Sequence, residues 1–211
     1  MTKSRAKPKN ILLTLKEKNE DNVTTIKQLY NIIYTYKRSV RGSRIKMQQL
    51  MMLLERDKYI HWNMCHESSQ AASDIFWTYP DSLKWLNAFS NVLLMDNTYK
   101  TNKYRLPLLE IVGVTSTGLT FLTAFVLMSS ERENNFTWAL RRLQGLVLRG
   151  DVYPTLIVSD RDLALMNVIK VVFPKACNLL CRFHINKNVK AKCKLLVHPR
   201  DAWDVVMDGQ L

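Results

Sequence analysis

Asn91-Val92-Leu93-Leu94-Met95-Asp96 and Thr155-Leu156-Ile157-Val158-Ser159-Asp160 are the two stretches that decide the fold. Each is a short, continuous apolar run ending in an acid. A run of that length without polar alternation reads as a strand buried on both faces, with its carboxylate at the strand end. Between the two lie Leu108 to Thr115 (LLEIVGVT) and Thr120 to Met128 (TFLTAFVLM), separated by Ser116-Thr117-Gly118-Leu119, a turn whose glycine suits a hairpin. The first three strands therefore form a meander.

Outward from these strands the periodicity changes. Glu131 to Val147 is amphipathic, with Phe136, Leu140, Leu143 and Val147 on one stripe and Arg141 and Arg142 off it. Leu163 to Phe173 reads as a helix stopped by Pro174, Cys177 to Phe183 as a fifth short strand, and Ile185 to Leu196 as a basic helix. Upstream, 59–65 and 74–78 read as short strands and 81–89 as a capped helix, with the core expected to begin after it. The order β-β-β-α-β-α-β-α does not alternate from its start, as a doubly wound sheet would. It is similar to an α/β ribonuclease H-like mixed sheet, here incomplete at its C-terminal end.

The N-terminal part has a different texture. Ile11, Leu12 and Leu15 share a helical face, Asp21-Asn22-Val23-Thr24 breaks it, and Thr24 or Thr25 can cap a second helix bearing Ile26, Leu29, Ile32 and Ile33. Arg38-Ser39-Val40-Arg41-Gly42-Ser43-Arg44 reads as a basic linker to a third helix from about Lys46 to Asp57. Two domains are expected: a small basic helical module over 1–58 and a mixed α/β domain over 59–211.

Charge supports that division. Thirty-one Lys and Arg against eighteen Asp and Glu give +13 over the 211 residues, and residues 1–60 alone carry fourteen basic and five acidic side chains, hence +9. A basic N-terminal third on a nearly balanced body is the pattern of a polyanion binder, with Lys7, Lys9, Arg38, Arg41 and Arg44 as the candidate DNA contacts. The alternatives are a basic tail without a partner, or a packing extension of the main domain. With 47% hydrophobic and 9% aromatic residues the composition is globular, excluding disorder, collagen-like and coiled-coil architectures. No apolar run reaches the roughly 18–20 residues of a membrane helix and Met1 to Asn10 lacks a signal-peptide core, so a soluble, intracellular protein without membrane contact is expected. Cys65, Cys177, Cys181 and Cys193 are too few for a disulfide framework, and Cys177-x3-Cys181-x2-His184 with Cys193 matches no standard zinc finger.

Asp96 and Asp160 carry the chemistry. If their strands neighbour each other in the sheet, both carboxylates reach one edge, where they repel unless a cation lies between them. Hard oxygen donors suit Mg²⁺ or Mn²⁺, and such ions activate a water or a 3′-hydroxyl and stabilise the leaving oxygen in phosphodiester chemistry. The alternative is that each aspartate only caps a turn.

Several segments together resemble one family. Met95-Asp96-Asn97-Thr98-Tyr99-Lys100-Thr101-Asn102 followed by Pro107-Leu108-Leu109 looks like the first-aspartate segment of the Mutator-like element (MULE) transposase domain. Leu156 through Ile169 resembles its second-aspartate segment, and Phe173-Pro174 with Cys181-Arg182-Phe183-His184-Ile185 resembles the C-x2-H that follows. The resemblance covers about 59–196, and the preceding Lys7-Pro8-Lys9-Asn10-Ile11-Leu12 is similar to plant far-red-impaired-response-like proteins. It implies a transposon-derived, nuclear DDE/D-type enzyme that cuts and joins DNA, with Asp96 and Asp160 as catalytic metal ligands. Asp162 is read as a helix N-cap or a support for the ligands. Cys181 and His184 match the C-x2-H as a buried structural pair, a metal contact or a DNA contact. The family's third acid, a glutamate beyond the C-x2-H, has no match, since Asp201, Asp204 and Asp208 lie too near the histidine. The resemblance thus implies a C-terminally truncated transposase fragment, inactive in this form, or a domesticated DNA-binding transcriptional regulator, with oligomerisation expected of a full-length protein.

Overall fold

In a computed structural model the described residues are 7–42, 46–65, 72–98, 102, 105–147 and 154–193. Arg44 and the acids at 201, 204 and 208 lie outside them, as does the side chain of Arg41. The chain divides into two units between Arg56 and Asp57.

The first unit is helical. α1 (Pro8–Lys18) opens on a proline, whose fixed φ and missing N–H suit a first helical position. Of the two candidate caps for α2 (Ile26–Arg41), Thr25 is the one used: its hydroxyl accepts from the Gln28 N–H, and the Gln28 side chain accepts from the Thr25 N–H. α1 packs against α2, whose Leu29 is buried. α3 (Lys46–Arg56) follows.

The second unit is a mixed α/β fold on one seven-stranded sheet. Its elements are β1 (Ile60–Cys65), β2 (Ala72–Thr78), α4 (Pro80–Ala88), β3 (Val92–Thr98), β4 (Leu108–Val114), β5 (Thr120–Leu127), α5 (Glu133–Leu146), β6 (Leu156–Ser159), α6 (Leu163–Val172), β7 (Cys177–Leu180) and α7 (Arg182–Cys193). The sheet order is β1-β2-β5-β4-β3-β6-β7. β3, β4 and β5 form the antiparallel meander, while β6 and β7 add in parallel beyond β3. The hairpin closes through Thr115 N–H to Leu119 O and Gly118 N–H to Thr115 O, with Gly118 at φ 79°.

Alternation along the strands sets the core. Leu93, Met95, Leu109, Ile111 and Ile157 bury one face of the sheet with Phe136, Leu140 and Leu143 of α5 and Leu165 and Ile169 of α6. The core does not begin after α4, as the sequence suggests: Phe76 of β2 belongs to it and β2 pairs with β5. β1 and β2 thus extend the meander edge. At the opposite edge β7 stops at Leu180, and the helix expected from Ile185 starts at Arg182. Among the described residues no helix is long and apolar enough to cross a membrane.

Candidate active site

β3 and β6 lie side by side and parallel, with Leu94 opposite Val158 and Met95 opposite Ser159. The next step along each chain is Asp96 and Asp160, so the strand pairing itself brings the two acids to the same level of the sheet. They differ in setting. Asp160 follows the last residue of β6, whereas Asp96 lies inside β3, which continues through Asn97 and Thr98 because β4 still pairs with it there. The reading of Asp96 as a strand-terminating acid is corrected on that point.

Asp96 lines a cleft of about 300 Å³ with Leu94, Glu110, Val112, Val158, Cys181, Phe183 and His184. Glu110 is its cross-strand partner on β4. His184, in the first turn of α7, places Nε2 3.7 Å from Asp96 Oδ1. The C-x2-H is therefore built by the β7–α7 junction: Cys181 ends the strand ladder with its N–H donating to Ser159 O, and α7 carries His184 back over β3.

The acids share an electrostatic environment. Burial pushes the Asp160 carboxyl above its ordinary value; the charges of Asp162 and Asp96 push it further, while His184 and a backbone hydrogen bond from Asp162 oppose them. Asp162 is the N-cap of α6, its carboxylate accepting from the Leu165 N–H at 2.9 Å. Glu131, in the turn between β5 and α5, is raised by burial first and then by Asp162 and Asp160. Its carboxylate accepts a hydrogen bond from the Asn97 side-chain amide of β3.

Three buried polar atoms around these groups lack a hydrogen-bond partner: Asp160 Oδ1, Asn97 Oδ1 and His184 Nδ1. Two orphaned oxygens beside a cluster of acids match the donor chemistry of a hard divalent cation. Among the described residues, however, no three His, Cys, Asp or Glu side chains converge at metal-binding distance, and Cys177, Cys181 and Cys193 form no thiolate centre. Glu131 and Glu110 were not legible as members of this region. Glu110 was hidden in an apolar strand, and Glu131 reads as an ordinary first-turn helix acid.

Of the N-terminal candidates, Lys7 and Arg38 are exposed, as is Lys9 in the first turn of α1.

A mixed α/β domain carrying two acids on adjacent parallel strands, with a histidine from a following helix against one of them, defines the class of this protein. Residues 92–188 match the MULE transposase domain. The chain is similar to Protein FAR1-RELATED SEQUENCE 5 of Arabidopsis thaliana, 30% identical over 62% of this chain and 16% of the relative. It is also similar to Protein FAR-RED IMPAIRED RESPONSE 1 of the same plant, 24% identical over 57% of this chain and 14% of the relative. A third likeness is to the PKS-NRPS hybrid synthetase cheA of Chaetomium globosum, 29% identical over 82% of this chain and 4% of the relative. The chain thus spans at most 16% of the length of these three relatives.

Proposed function

We propose that this chain carries a ribonuclease H-like, transposon-derived site for metal-dependent phosphoryl transfer on DNA, in which Asp96 and Asp160 hold the cation. The order β5-β4-β3-β6-β7, an antiparallel meander extended by two parallel strands with α5 and α6 as crossovers, supports the fold assignment. The observation that carries the site assignment is the juxtaposition of Asp96 and Asp160 on neighbouring parallel strands, with a buried, unpartnered Oδ1 on Asp160. Mg²⁺ or Mn²⁺, when bound, supplies charge neutralisation at the phosphate and activation of a water or 3′-hydroxyl.

The chain's own residues do the rest. Asp160 is desolvated and pressed by Asp162 and Asp96, so its carboxylate gains most from a neutralising charge. Asp162 fixes the start of α6 and hence the backbone that carries Asp160. Asn97 holds Glu131 by its amide, restraining a third carboxylate near Asp160. His184 stands against Asp96 and restricts its side chain from the cleft side.

Two carboxylates hold Mg²⁺ loosely, because the ion keeps several waters and tolerates little departure from octahedral geometry. The chain in this form is therefore proposed to bind a cation weakly and to leave DNA uncut. The same two-acid site, in a chain that also carries a basic helical unit, favours as second reading a domesticated DNA-binding regulator. Both readings put the protein on DNA in the nucleus, with self-association expected of it.

The deciding measurement is Mn²⁺ binding, followed by the magnetic resonance signal of free Mn²⁺, on the wild type and on Asp96→Asn and Asp160→Asn. Weak binding by the wild type that either substitution abolishes supports the site. Equal binding by all three overturns it. Incubation with transposon-end DNA and Mn²⁺ separates the readings, since nicking lost in both variants restores the enzyme.

A further inference from the structure

α2 carries Lys27, Lys37, Arg38 and two of its three tyrosines on one stripe. At 100° per residue Lys27, Tyr30, Tyr34, Lys37 and Arg38 fall within an arc of about 120°. The stripe that packs inward, with Ile26, buried Leu29 and Ile33, is centred elsewhere on the helix. The outward rings are open to solvent: Tyr30 is 53% and Tyr34 65% exposed. α2 contains no Asp or Glu, and the acids of residues 7–42, Glu17, Glu20 and Asp21, lie at the end of α1 and in the turn after it.

We propose that the Lys27–Tyr30–Tyr34–Lys37–Arg38 face of α2 is a docking surface for duplex DNA, seated in the major groove. This rests on the reading of the N-terminal unit as a polyanion binder and adds which surface makes the contact. Charge complementarity selects the occupant. Lysines at the two ends of a tyrosine pair can each neutralise a phosphate, while tyrosine presents a ring and a hydroxyl to the groove wall between them. The 16 residues of α2 span about 24 Å, and a helix of ordinary diameter enters the roughly 12 Å major groove of B-DNA, whereas the deep, narrow major groove of an RNA duplex does not admit it. A second copy of the chain is disfavoured as occupant, because pairing two such stripes would set lysines against lysines.

The test uses the full 211-residue chain in EDTA and a fluorescein-labelled 20-base-pair duplex, with anisotropy recorded between 50 and 200 mM salt. The variants are Tyr30→Ala/Tyr34→Ala and Lys27→Gln/Lys37→Gln, and Lys170→Gln/Lys175→Gln on exposed sites of the second unit is the charge-matched control. The tyrosine pair should weaken binding about fivefold and leave the salt slope unchanged, and the lysine pair should flatten log K against log salt by about 1.8, at 0.9 per phosphate contact. The control should bind as the wild type. All mutated side chains are solvent-exposed, and an unchanged helical circular dichroism signal accompanies each comparison; if the tyrosine variant loses it, the lysine pair alone decides. Wild-type binding that both α2 variants match overturns this surface and leaves the polyanion reading standing. No wild-type binding removes both. Tighter binding of single strands than of duplex, displacement by poly-glutamate as effective per charge as by DNA, or a dimer that the tyrosine variant dissociates also overturns it.

Discussion

His184 Nε2 stands 3.7 Å from Asp96 Oδ1, although the two residues come from opposite ends of the second unit's central sequence. The β7–α7 junction produces this approach: β7 adds to β6 in parallel, Cys181 stays hydrogen-bonded to Ser159, and the helix that starts at once turns the imidazole over β3. A protonated imidazole there is an ion-pair partner for Asp96; a neutral one leaves the carboxylate to another cation.

Cation binding should therefore depend on pH. Acid weakens a divalent-cation site because protons compete with the ion for its carboxylate oxygens. Protonation of Asp160, favoured by its raised value, acts in the same direction. Mn²⁺ affinity should fall as pH is lowered from 7.5 to 4.5, towards the range in which the raised Asp160 carboxyl takes up a proton. Titrations of the wild type at the two pH values check this, and an affinity that rises on acidification would contradict it.

Asp160→Asn should stabilise the fold at neutral pH. The Asp160 and Glu131 carboxyls are raised above 3.8 and 4.5 in the folded chain, by burial first and neighbouring acids second. The folded state thus holds these protons more tightly than the unfolded one. Their favourable contribution is complete below the ordinary carboxyl values and is lost as pH rises through the raised ones. At pH 7 the Asp160 charge is a cost that asparagine removes. Thermal melts in EDTA should show a Tm increase of about 1–4 °C for Asp160→Asn at pH 7, vanishing near pH 3, and only the wild type should be stabilised by added Mn²⁺.

Legibility in the sequence followed the range of the determining interactions. The strand character of the apolar runs leading into Asp96 and Asp160, the Gly118 turn and the Asp162 cap are decided by a few neighbouring residues, and they stand in the sequence as they do in the fold. What was not legible depends on pairing. Asp96 is interior to β3 only because β4 extends beside it, and Phe76 enters the core only because β2 joins β5. The C-x2-H offered no role in sequence, since its approach to Asp96 is set by where β7 ends. Glu131 carried no signal because its neighbours Asn97, Asp160 and Asp162 are remote in the chain.

Asp74 is a structural counterpart to the site acids. It is fully buried in β2, where its carboxylate accepts from Ser73 Oγ at 2.7 Å, the Ser129 N–H at 2.8 Å and Asn135 Nδ2 at 2.9 Å. These bonds tie β2 to the turn that carries Glu131 and to the first turn of α5. Asp74→Ala would remove the acceptor shared by Ser73 Oγ, the Ser129 N–H and the buried Asn135 amide, which would keep only Ser129 Oγ, a loss of about 3 kcal/mol, or a Tm lowered by roughly 6–12 °C. Urea unfolding of the variant measures this, and a midpoint within error of the wild type would refute the role given to Asp74.

Gly113 of β4 faces Phe121 of β5 across the meander, and a Cβ at Gly113 would meet the ring at 2.2 Å. The phenylalanine ring lies over the bare glycine backbone, so the pair occupies the space of one large side chain. Phe121 also packs against the core and lies 6.3 Å, centroid to centroid, from Trp85 of α4, which leaves its ring little freedom to withdraw. Gly113→Ala should therefore force either the ring or the β4–β5 register to shift, at a cost of about 1–3 kcal/mol. β4 is hydrogen-bonded to β3 on its other side, with Gly113 opposite Leu93, so the shift would be transmitted towards the strand that carries Asp96. Gly113→Ala/Phe121→Leu, which removes the ring, should recover most of the loss. A double variant as unstable as Gly113→Ala alone, read by urea midpoint, would show that backbone freedom at Gly113 and not the ring contact sets its requirement.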